Sequence, residues 1–420
     1  MNFLDLIYVP LGVLSAPLWA RKKRDGWGER FGHIEQMMRN QPAPEGLRIM
    51  LHAVSVGEVN ALRALIDSLL IDPKVGCVMI STTTDTGLAR ARALFGERCD
   101  VVRYPLDCSW MVRRFLDTVR PDVIGLVELE LWPNFVKIAT KRDIPVCVIN
   151  GRLSERSFRG YRRIRFLLRW TFARLKVCCV QDAEYADRFR AMGARDVRIT
   201  DSMKWDSVDT GRASGGPTDR AFSIALSMGL DLTKPILVAG STGPGEEALL
   251  HASCPEGAQL VCAPRKPERF EEAAAAMPGC ERRSAGKPAP AGTMRFLLDT
   301  IGELSSVYEL ADVVVVGRSF GDLYGSDPIE PAALGKPVVI GPRHSDFETA
   351  IRTLLRADAI SIVDREGLRT ELVRLFRHPA SGKTMGDRAQ ACVRAHQGAT
   401  ALHHEVLVGL AMGGSKSGVC

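Results

Sequence analysis

From about residue 47 onward, apolar and β-branched segments typical of strands alternate with segments of helical periodicity. The predicted strands are 48–54, 76–84, 100–104, 122–127, 145–149, 176–181, 235–239, 259–263, 294–298, 313–316, 337–340 and 360–363. Strands that alternate with helices at this spacing predict parallel sheets covered by helices on both faces. The chain is therefore expected to have an α/β fold.

One segment interrupts this alternation. Residues 206–219 are rich in Asp, Ser, Thr, Gly and Pro, which is typical of a linker. We therefore predict two Rossmann-like domains, 25–205 and 220–420, and the length of 420 residues suits two such domains. Ligands of open α/β sheets bind at the carboxyl ends of the strands, so we expect the site in the cleft between the two domains.

The composition is that of an ordinary globular protein. Hydrophobic residues make up 46% and charged residues 25%, which excludes a disordered or collagen-like chain. The net charge of +7 is mild, so an anionic partner must be bound by a local patch. The eleven cysteines form no Cys-x-x-Cys pair, and we expect reduced thiols in a cytosolic compartment.

The N-terminal segment has two possible interpretations. Residues 3–20 are largely apolar, but Asp5, Pro10 and Pro17 interrupt them, and four basic residues follow at 21–24. The favoured interpretation is an uncleaved membrane anchor or interfacial helix over 1–24, with the basic residues against anionic lipid. The alternative is an amphipathic helix that packs on the protein's own surface.

Acidic residues follow two predicted strands of the first domain. Glu58 falls in the first turn of a predicted helix, where a carboxylate acts either as a cap or as a general base. Glu128 and Glu130 follow the strand 122–127, and they point the same way if the backbone is extended. Carboxylates at the end of a buried strand are costly unless paired, which raises the case for a functional role.

Four turns at successive strand ends of the second domain suit a nucleotide. They are the glycine-rich turn 240–247, Arg265 within 263–269, the turn 299–304 before a helix, and the turn 325–331 with Glu330. Backbone N–H groups and arginine favour phosphate, and Glu330 can hydrogen-bond a ribose diol. Each turn alone is explained equally well by ordinary turn and capping chemistry. Their recurrence in one domain predicts a nucleotide subsite.

A basic and aromatic stretch lies between Arg152 and Lys176, with nine basic residues and one acid. Phe158, Tyr161, Phe166, Trp170 and Phe172 are interleaved with them. This pattern is typical of a segment that lies on an anionic membrane or binds a phosphorylated lipid. A solvated face with core aromatics explains it too, and RNA binding is the least favoured interpretation.

Metal binding is not expected, because the sequence lacks Asp-x-Asp and His-x-x-x-His motifs. A leaving phosphate must then be stabilised by helix N-termini and cationic side chains.

Taken in order, several motifs resemble the 3-deoxy-D-manno-octulosonic acid (Kdo) transferase family over nearly the whole chain. The most specific are Glu-Leu-Trp-Pro-Asn at 130–134 and Asn-Gly-Arg-Leu-Ser-Glu-Arg-Ser at 150–157. The others lie at 26–32, 52–58, 81–87, 204–206, 241–247, 264–269, 302–303 and 328–335.

The resemblance implies an inverting, metal-independent glycosyltransferase of the GT-B type, with no cofactor. Its donor would be CMP-Kdo and its acceptor the phosphorylated lipid A precursor, at the cytoplasmic face of the inner membrane, without nucleic acid. Its final helices would pack back toward the first domain. Glu58 then matches the general base, and Glu128 and Lys204 match positions of transition-state stabilisation. The matches to the CMP-binding positions are Pro264, Arg265, Ile301, Gly302, Glu303, Asp327, Pro328, Ile329 and Glu330.

The chain departs from the family pattern at four places in the second domain. Gly243 and Lys266 stand where the family has histidine, Asp346 stands where it has asparagine, and the turn 324–327 replaces Gly-Gly-His-Asn. A carboxylate at 327 or 346 weakens the binding of an anionic donor unless it is paired. Another anionic CMP-sugar or acceptor, or a weakly active relative, is therefore the alternative function. A non-catalytic relative is disfavoured by Glu58, Glu128, Arg265 and Glu330.

Overall fold

The computed structural model describes residues 5, 6, 8, 10, 26–34, 45–208, 210 and 216–414. The chain divides into two compact units. The first comprises Met1–Ser207 with Gln397–Cys420, and the second comprises Val208–His396. Within the described residues each unit contains one seven-stranded sheet, and every strand pair is parallel. The α/β fold with parallel sheets is confirmed.

The sheet of the first unit has the order β3-β2-β1-β4-β5-β6-β7. Its strands are β1 (Leu47–His52), β2 (Val75–Thr82), β3 (Asp100–Arg103), β4 (Val123–Val127), β5 (Val146–Gly151), β6 (Cys178–Val180) and β7 (Val197–Ile199). The first six lie where the sequence predicts them. The seventh is a short edge strand with two exposed residues, which leaves too little apolar signal for a prediction.

The helices of the first unit connect these strands and flank the sheet. They are α1 (Trp27–Arg30), α2 (Val56–Ala61), α3 (Arg63–Ile71), α4 (Asp85–Phe95), α5 (Ser109–Val119), α6 (Pro133–Lys141), α7 (Glu155–Arg163), α8 (Arg165–Phe172) and α9 (Ala183–Met192). Side chains of Ser, Thr or Asp cap several of these N-termini, as at Ser55, Thr84, Ser154 and Asp182. These caps fix the residue at which each helix begins after the loop that follows a strand.

The sheet of the second unit has the order β10-β11-β9-β8-β12-β13-β14. Its strands are β8 (Ile236–Thr242), β9 (Gln259–Pro264), β10 (Glu281–Arg282), β11 (Arg295–Leu297), β12 (Val313–Val316), β13 (Val338–Ile340) and β14 (Ser361–Ile362). Its helices are α10 (Asp219–Met228), α11 (Glu246–Ser253), α12 (Phe270–Ala275), α13 (Leu304–Tyr308), α14 (Ile329–Ala333), α15 (Glu348–Arg356), α16 (Leu368–Arg377) and α17 (Pro379–Ala395). The sequence predicts all of these strands except the two-residue β10.

The first sheet is buried on both faces. Met50 belongs to the apolar cluster on one face, whereas its neighbours Ile49 and Leu51 belong to the cluster on the other. Successive residues of a strand point to opposite faces, so a strand covered on both sides reads as a continuous apolar run. This burial explains why the strand predictions from composition succeed.

The last helix, α18 (Ala399–Gly414), belongs to the first unit. The range 220–420 counted it with the second domain, while the resemblance implied that the final helices pack back toward the first. The carboxylate of Asp206 caps it, accepting from the N–H groups of Gly398 at 2.7 Å and Thr400 at 2.6 Å. Its buried His403 accepts from the N–H of Asn150 at 2.7 Å. Asp206 was predicted to begin the linker. It is instead part of a short 3-10 turn over Met203–Ser207, and residues 209 and 211–215 of the linker lie outside the described residues.

Most of the predicted anchor, 1–24, lies outside the described residues. Asp5 is described, and its fully buried carboxylate accepts from the backbone N–H of Ser109 at 2.8 Å and from Asn134 Nδ2 at 3.3 Å. This contact agrees with a segment packed on the protein's own surface. No helix within the described ranges combines the length and apolar character that crossing a bilayer requires.

Replacing Arg269 by Met is expected to destabilise the second unit. Its guanidinium forms two hydrogen bonds of 2.9 Å with Glu247, and the two side chains are 9% and 1% exposed. The variant leaves a buried carboxylate without its partner charge, so the free energy of unfolding should fall by about 3 kcal/mol, measured by urea denaturation.

The control is Lys383→Met, which removes an exposed ion pair with Asp387 on one helix. It should change the free energy of unfolding by less than about 0.5 kcal/mol. Equal effects of the two variants would contradict the structural role of Arg269.

Candidate active site

The first sheet changes direction between β1 and β4. From β1 the chain winds outward through β2 and β3, then returns to place β4 on the other side of β1. The loops after two such neighbouring strands diverge, which opens a crevice at their carboxyl ends. Glu58 follows β1 and Glu128 follows β4, so the topology brings these two predicted residues to the same crevice.

Glu58 is held at the start of α2 by hydrogen bonds to both carboxylate oxygens. Ser55 is the N-cap, and its Oγ donates to Glu58 Oε1 at 2.8 Å while accepting from the N–H of Glu58 at 3.4 Å. The N–H of Val54 donates to Glu58 Oε2 at 2.8 Å. Glu58 therefore serves as a capping partner, and the same contacts fix the direction of its carboxylate.

Glu128 lies beside Glu58 in a polar cavity of about 250 Å³. Its backbone is left-handed, with φ 56°, which is uncommon for a residue with a Cβ. Backbone strain of this kind concentrates at functional sites. The cavity is lined by Val54, Glu58, Val127, Glu128, Leu129, Arg152, Ser154 and Ser157. The sequence analysis named Arg152 as part of a motif and of the basic stretch, and the two serines only as parts of a motif.

The surroundings of Glu58 raise the pKa of its carboxyl above the ordinary value. Burial is the main cause, and the negative charge of Glu128 adds to it. The hydrogen bonds from Val54 and Ser55 and the charge of His52 act in the opposite direction without cancelling the rise. A carboxylate with a raised pKa is a stronger base, which suits proton abstraction.

Glu130 does not share this cavity, because the left-handed backbone at Glu128 breaks the extended geometry that was expected to align them. Glu130 Oε2 lies 3.0 Å from Nε2 of the buried His52, and Oε1 accepts from Trp132 Nε1 at 3.1 Å. Burial raises the pKa of Glu130, but hydrogen bonds from His52, Trp132 and Thr83 outweigh it and the net pKa is lowered. Glu130 ties the loop after β4 to the end of β1.

Lys204 lies on the 3-10 turn Met203–Ser207, which contacts α2. The side chain of Asn150 accepts from the N–H of Met203 at 3.1 Å and so ties this turn to the end of β5. The structure thus places the element that carries Lys204 against the helix that carries Glu58. Lys204 itself is outside the set of residues that line the cavity.

The second sheet changes direction between β8 and β12, and the loops after its central strands interlock. The N–H of Arg265, after β9, donates to Thr242 O at 3.1 Å, and Pro264 pairs with Thr242 in the sheet. Three of the predicted CMP-binding residues interact electrostatically with the buried Tyr308. Burial and then the carboxylates of Glu330 and Asp327 raise the pKa of Tyr308, while Arg265 lowers it.

Three more of the predicted CMP-binding residues lie in the turn 301–303, and the other two, Pro328 and Ile329, begin α14. Glu303 accepts two hydrogen bonds of 3.1 Å from Arg283, and Thr300 Oγ1 donates to the same carboxylate. Burial raises the pKa of Glu303, but these contacts outweigh it and the pKa is lowered. Gly302 is left-handed at φ 86°, and the side chain of Ile301 is exposed. Glu303 therefore holds the turn, and Ile301 is accessible to a ligand.

The glycine-rich turn 240–247 differs from the expected phosphate loop. The N–H of Gly243 donates to Glu246 Oε2 at 2.7 Å, so it is not available to a phosphate. The same buried carboxylate also accepts from the N–H groups of Arg318 at 2.6 Å, Ser319 at 2.8 Å and Phe320 at 2.9 Å. Glu246 thus ties the loop after β8 to the loop after β12. The motif alone did not reveal this role, because three of the four partners of Glu246 are distant in the sequence.

Two of the departures from the family motif have partners of their own. Asp327 Oδ1 accepts from the N–H of Ile329 at 2.9 Å. This hydrogen bond at the start of α14 partly compensates the negative charge of Asp327. Lys266 lies on the surface, where its Nζ is 3.5 Å from the carboxylate of Glu268.

The His, Cys, Asp and Glu side chains of the described residues do not cluster as a metal site requires. Among the described residues, no group of three or more His, Cys, Asp or Glu side chains is placed to hold a metal ion. The ten described cysteines are free thiols, and most of them are buried.

Helices α7 and α8 carry the basic and aromatic stretch. Phe172 is buried in the core, whereas Phe166 is 72% and Trp170 is 68% exposed. We call these two side chains and their exposed neighbours the aromatic–basic surface: Arg162, Arg163, Ile164, Arg165, Phe166, Leu167, Arg169 and Trp170. Phe158, Tyr161 and Phe172 pack in or against the core, as a solvated face with core aromatics predicts, whereas Phe166 and Trp170 are exposed.

Residues 25–207 match the family model described as 3-deoxy-D-manno-octulosonic-acid transferase (kdotransferase). The 3-deoxy-D-manno-octulosonic acid transferase of Bordetella pertussis is 31% identical over 417 residues, covering 91% of this chain and 92% of that protein. The enzyme of the same name from Haemophilus influenzae is 29% identical over 409 residues, covering 94% and 93% of the two chains.

Solved structures of similar fold are more distant in sequence. MurG of Acinetobacter baumannii is 14% identical, with a TM-score of 0.55 over 86% of this chain and 99% of that one. The UDP-GlcNAc 2-epimerase of Neisseria meningitidis is 13% identical, with a TM-score of 0.54 over 86% and 100%. At these identities the likeness shows the fold alone, namely two parallel-sheet α/β domains of the GT-B kind.

Replacing Glu128 by Gln is expected to lower the pKa of Glu58. The substitution removes a negative charge that disfavours ionisation of Glu58. NMR titration of the Glu58 side-chain carboxyl measures the shift. The exposed Glu97 provides the matched control, and Glu97→Gln should leave the titration of Glu58 unchanged. An unchanged or higher pKa in Glu128→Gln would show that the two carboxylates do not interact.

Proposed function

Because this chain belongs to the Kdo transferase family, we propose that it transfers Kdo from CMP-Kdo to the lipid A precursor of lipopolysaccharide. The observation that carries the proposal is the pair of carboxylates, Glu58 and Glu128, in one polar cavity at the carboxyl ends of β1 and β4. A base held on a rigid element beside a cavity suits the deprotonation of a sugar hydroxyl.

In the proposed reaction, Glu58 accepts the proton of an acceptor hydroxyl as its oxygen attacks the anomeric carbon of Kdo. The bond between that carbon and the phosphate oxygen breaks, and CMP leaves with the bonding electrons. Attack opposite the leaving group inverts the anomeric configuration. The hydrogen bonds from Ser55 and Val54 hold the carboxylate in place, so little reorganisation is needed.

We assign Glu128 and Lys204 to stabilisation of the transition state. Glu128 also contributes to the raised pKa of Glu58, which strengthens the base. Lys204 brings a positive charge on a turn that contacts the helix of Glu58. A cation in this position can offset negative charge that develops during transfer.

The donor is proposed to bind at the strand ends of the second unit. We assign Arg265 to the phosphate and Glu330 to the ribose hydroxyls, supported by their common position near Tyr308. Pro264, Ile301, Gly302 and the residues 327–329 complete the pocket, and Glu303 holds the turn 301–303 through Arg283. Asp327 is the residue through which the site would discriminate between CMP-Kdo and another anionic CMP-sugar.

The acceptor is a lipid, and we propose that the aromatic–basic surface contacts the cytoplasmic face of the inner membrane. Exposed aromatic side chains enter the interface of a bilayer, while arginines pair with anionic headgroups. Arg152 lines the cavity of Glu58 and also begins the basic stretch, which places positive charge where a phosphorylated acceptor is required.

Glu58→Gln is expected to retain the fold and CMP binding while losing 10²- to 10⁴-fold in turnover, the usual contribution of a general base. The assay is transfer from CMP-Kdo to a tetraacylated lipid A precursor in the presence of EDTA. Glu97→Gln is the control and should be fully active. Normal turnover of Glu58→Gln would remove Glu58 from the role of base. If the wild type binds CMP but forms no product, a panel of other CMP-sugars tests the alternative donor.

Replacing both Phe166 and Trp170 by Ser should reduce binding to phosphatidylglycerol vesicles by roughly tenfold or more, because each aromatic loses its apolar contact with lipid. Vesicle co-sedimentation measures the change. Leu226, which is 77% exposed in the second unit, provides the control variant Leu226→Ser. Unchanged binding of the double variant would exclude this surface as the membrane contact.

A further inference from the structure

Arg318 has a backbone conformation that an arginine rarely adopts. It follows β12, and its φ of 59° lies in the left-handed region that favours glycine. Its N–H donates to Glu246 Oε2 at 2.6 Å, and its carbonyl accepts from the N–H of Gly325 at 2.8 Å. Hydrogen bonds to the N–H and to the carbonyl of Arg318 thus fix this conformation, which a glycine would adopt with less strain.

The side chain of Arg318 extends along the loop after β8. A Cβ added to Gly243 would lie 3.4 Å from Arg318 Cγ and 2.9 Å from Leu323 Cδ1, so the absence of a side chain at 243 leaves this space to Arg318. Arg318 is half-buried, and within the described residues its guanidinium has no hydrogen bond or ion pair. A partly buried cation without a partner is unfavourable unless it meets an anion.

Arg318 also lies where the second sheet changes direction, next to the loops proposed to bind the donor. The N–H of Gly317 donates a hydrogen bond to Gly240 O at 2.9 Å, and the N–H of Arg265 donates one to Thr242 O. Ser326, beside Asp327, approaches Ser241 O at 3.5 Å. The crevice between β8 and β12 is therefore bordered by Arg318 and by residues of the proposed donor site.

We propose that Arg318 is a donor-binding residue, whose guanidinium pairs with an anionic oxygen of the nucleotide sugar. This inference rests on the proposed function and adds a residue to it that the motif matches do not include. CMP-Kdo offers two such anions, the phosphate of CMP and the carboxylate of Kdo. A planar guanidinium suits either one, since both present two oxygens to its fork of N–H groups.

The test compares Arg318→Gly and Arg318→Gln with the wild type, using calorimetric titration of the full chain with cytidine, CMP and CMP-Kdo. Arg377→Gln is the matched control, since Arg377 is exposed and its neighbours Leu375 and Phe376 lie by the amino ends of β8, β12 and β13. Both Arg318 variants should weaken binding about 10- to 100-fold, the usual range for a lost charged hydrogen bond, while cytidine binding is unchanged.

The three ligands identify the anion. Weaker binding of CMP and CMP-Kdo alike assigns Arg318 to the phosphate, and weaker binding of CMP-Kdo alone assigns it to the carboxylate. Unchanged affinity for both overturns the inference while leaving the proposed function intact. A wild type that binds neither CMP nor CMP-Kdo overturns the proposed donor and this inference with it.

Thermal unfolding separates a binding role from a structural one. Arg318→Gly should unfold at the same temperature as the wild type or higher, because φ 59° suits glycine. A lower midpoint together with unchanged affinities would show that Arg318 serves only to stabilise the loop.

Discussion

Both sheets contain only parallel strand pairs within the described ranges, and this constraint determines where the chemistry lies. Every strand of a parallel sheet ends at the same edge, so the loops that carry Glu58 and Glu128 in one unit, and Arg265 and Arg318 in the other, each converge on one edge. The reversal of strand order opens a crevice within that edge. Residues that are far apart in the chain therefore become neighbours in the structure, although no local sequence pattern links them.

Carboxylates that accept backbone hydrogen bonds hold segments distant in the chain together. Glu246 accepts four backbone N–H groups and thereby joins the loops after β8 and β12, while Asp206 caps α18 in the first unit. A buried carboxylate is stable when hydrogen bonds satisfy its oxygens, and such contacts are charge-assisted and strong. The left-handed backbones at Ser241 and Arg318 occur at the ends of β8 and β12, the two strands whose following loops Glu246 joins.

The two carboxylates of the first unit illustrate how one motif separates into two roles. Glu128 lines the cavity of Glu58, whereas Glu130 contacts His52, Trp132 and Thr83 and ties two loops together. Both are acidic and only two positions apart, so their types and spacing do not distinguish them. The backbone of Glu128 does, because a left-handed residue rotates the following side chain out of the extended alternation.

The sequence by itself determined the α/β class, nearly all of the strands and the family, because buried parallel strands are continuous apolar runs and the motifs keep their order. It also marked Glu58 and Arg265 as candidates, because their positions at strand ends are visible as local patterns. Tertiary structure alone decided that Glu246 joins the loops after β8 and β12, that Asp206 caps α18, and that the guanidinium of Arg318, beside Gly243, has no partner among the described residues. These features depend on contacts between residues distant in the chain and on a backbone angle, neither of which leaves a periodic signal in the sequence.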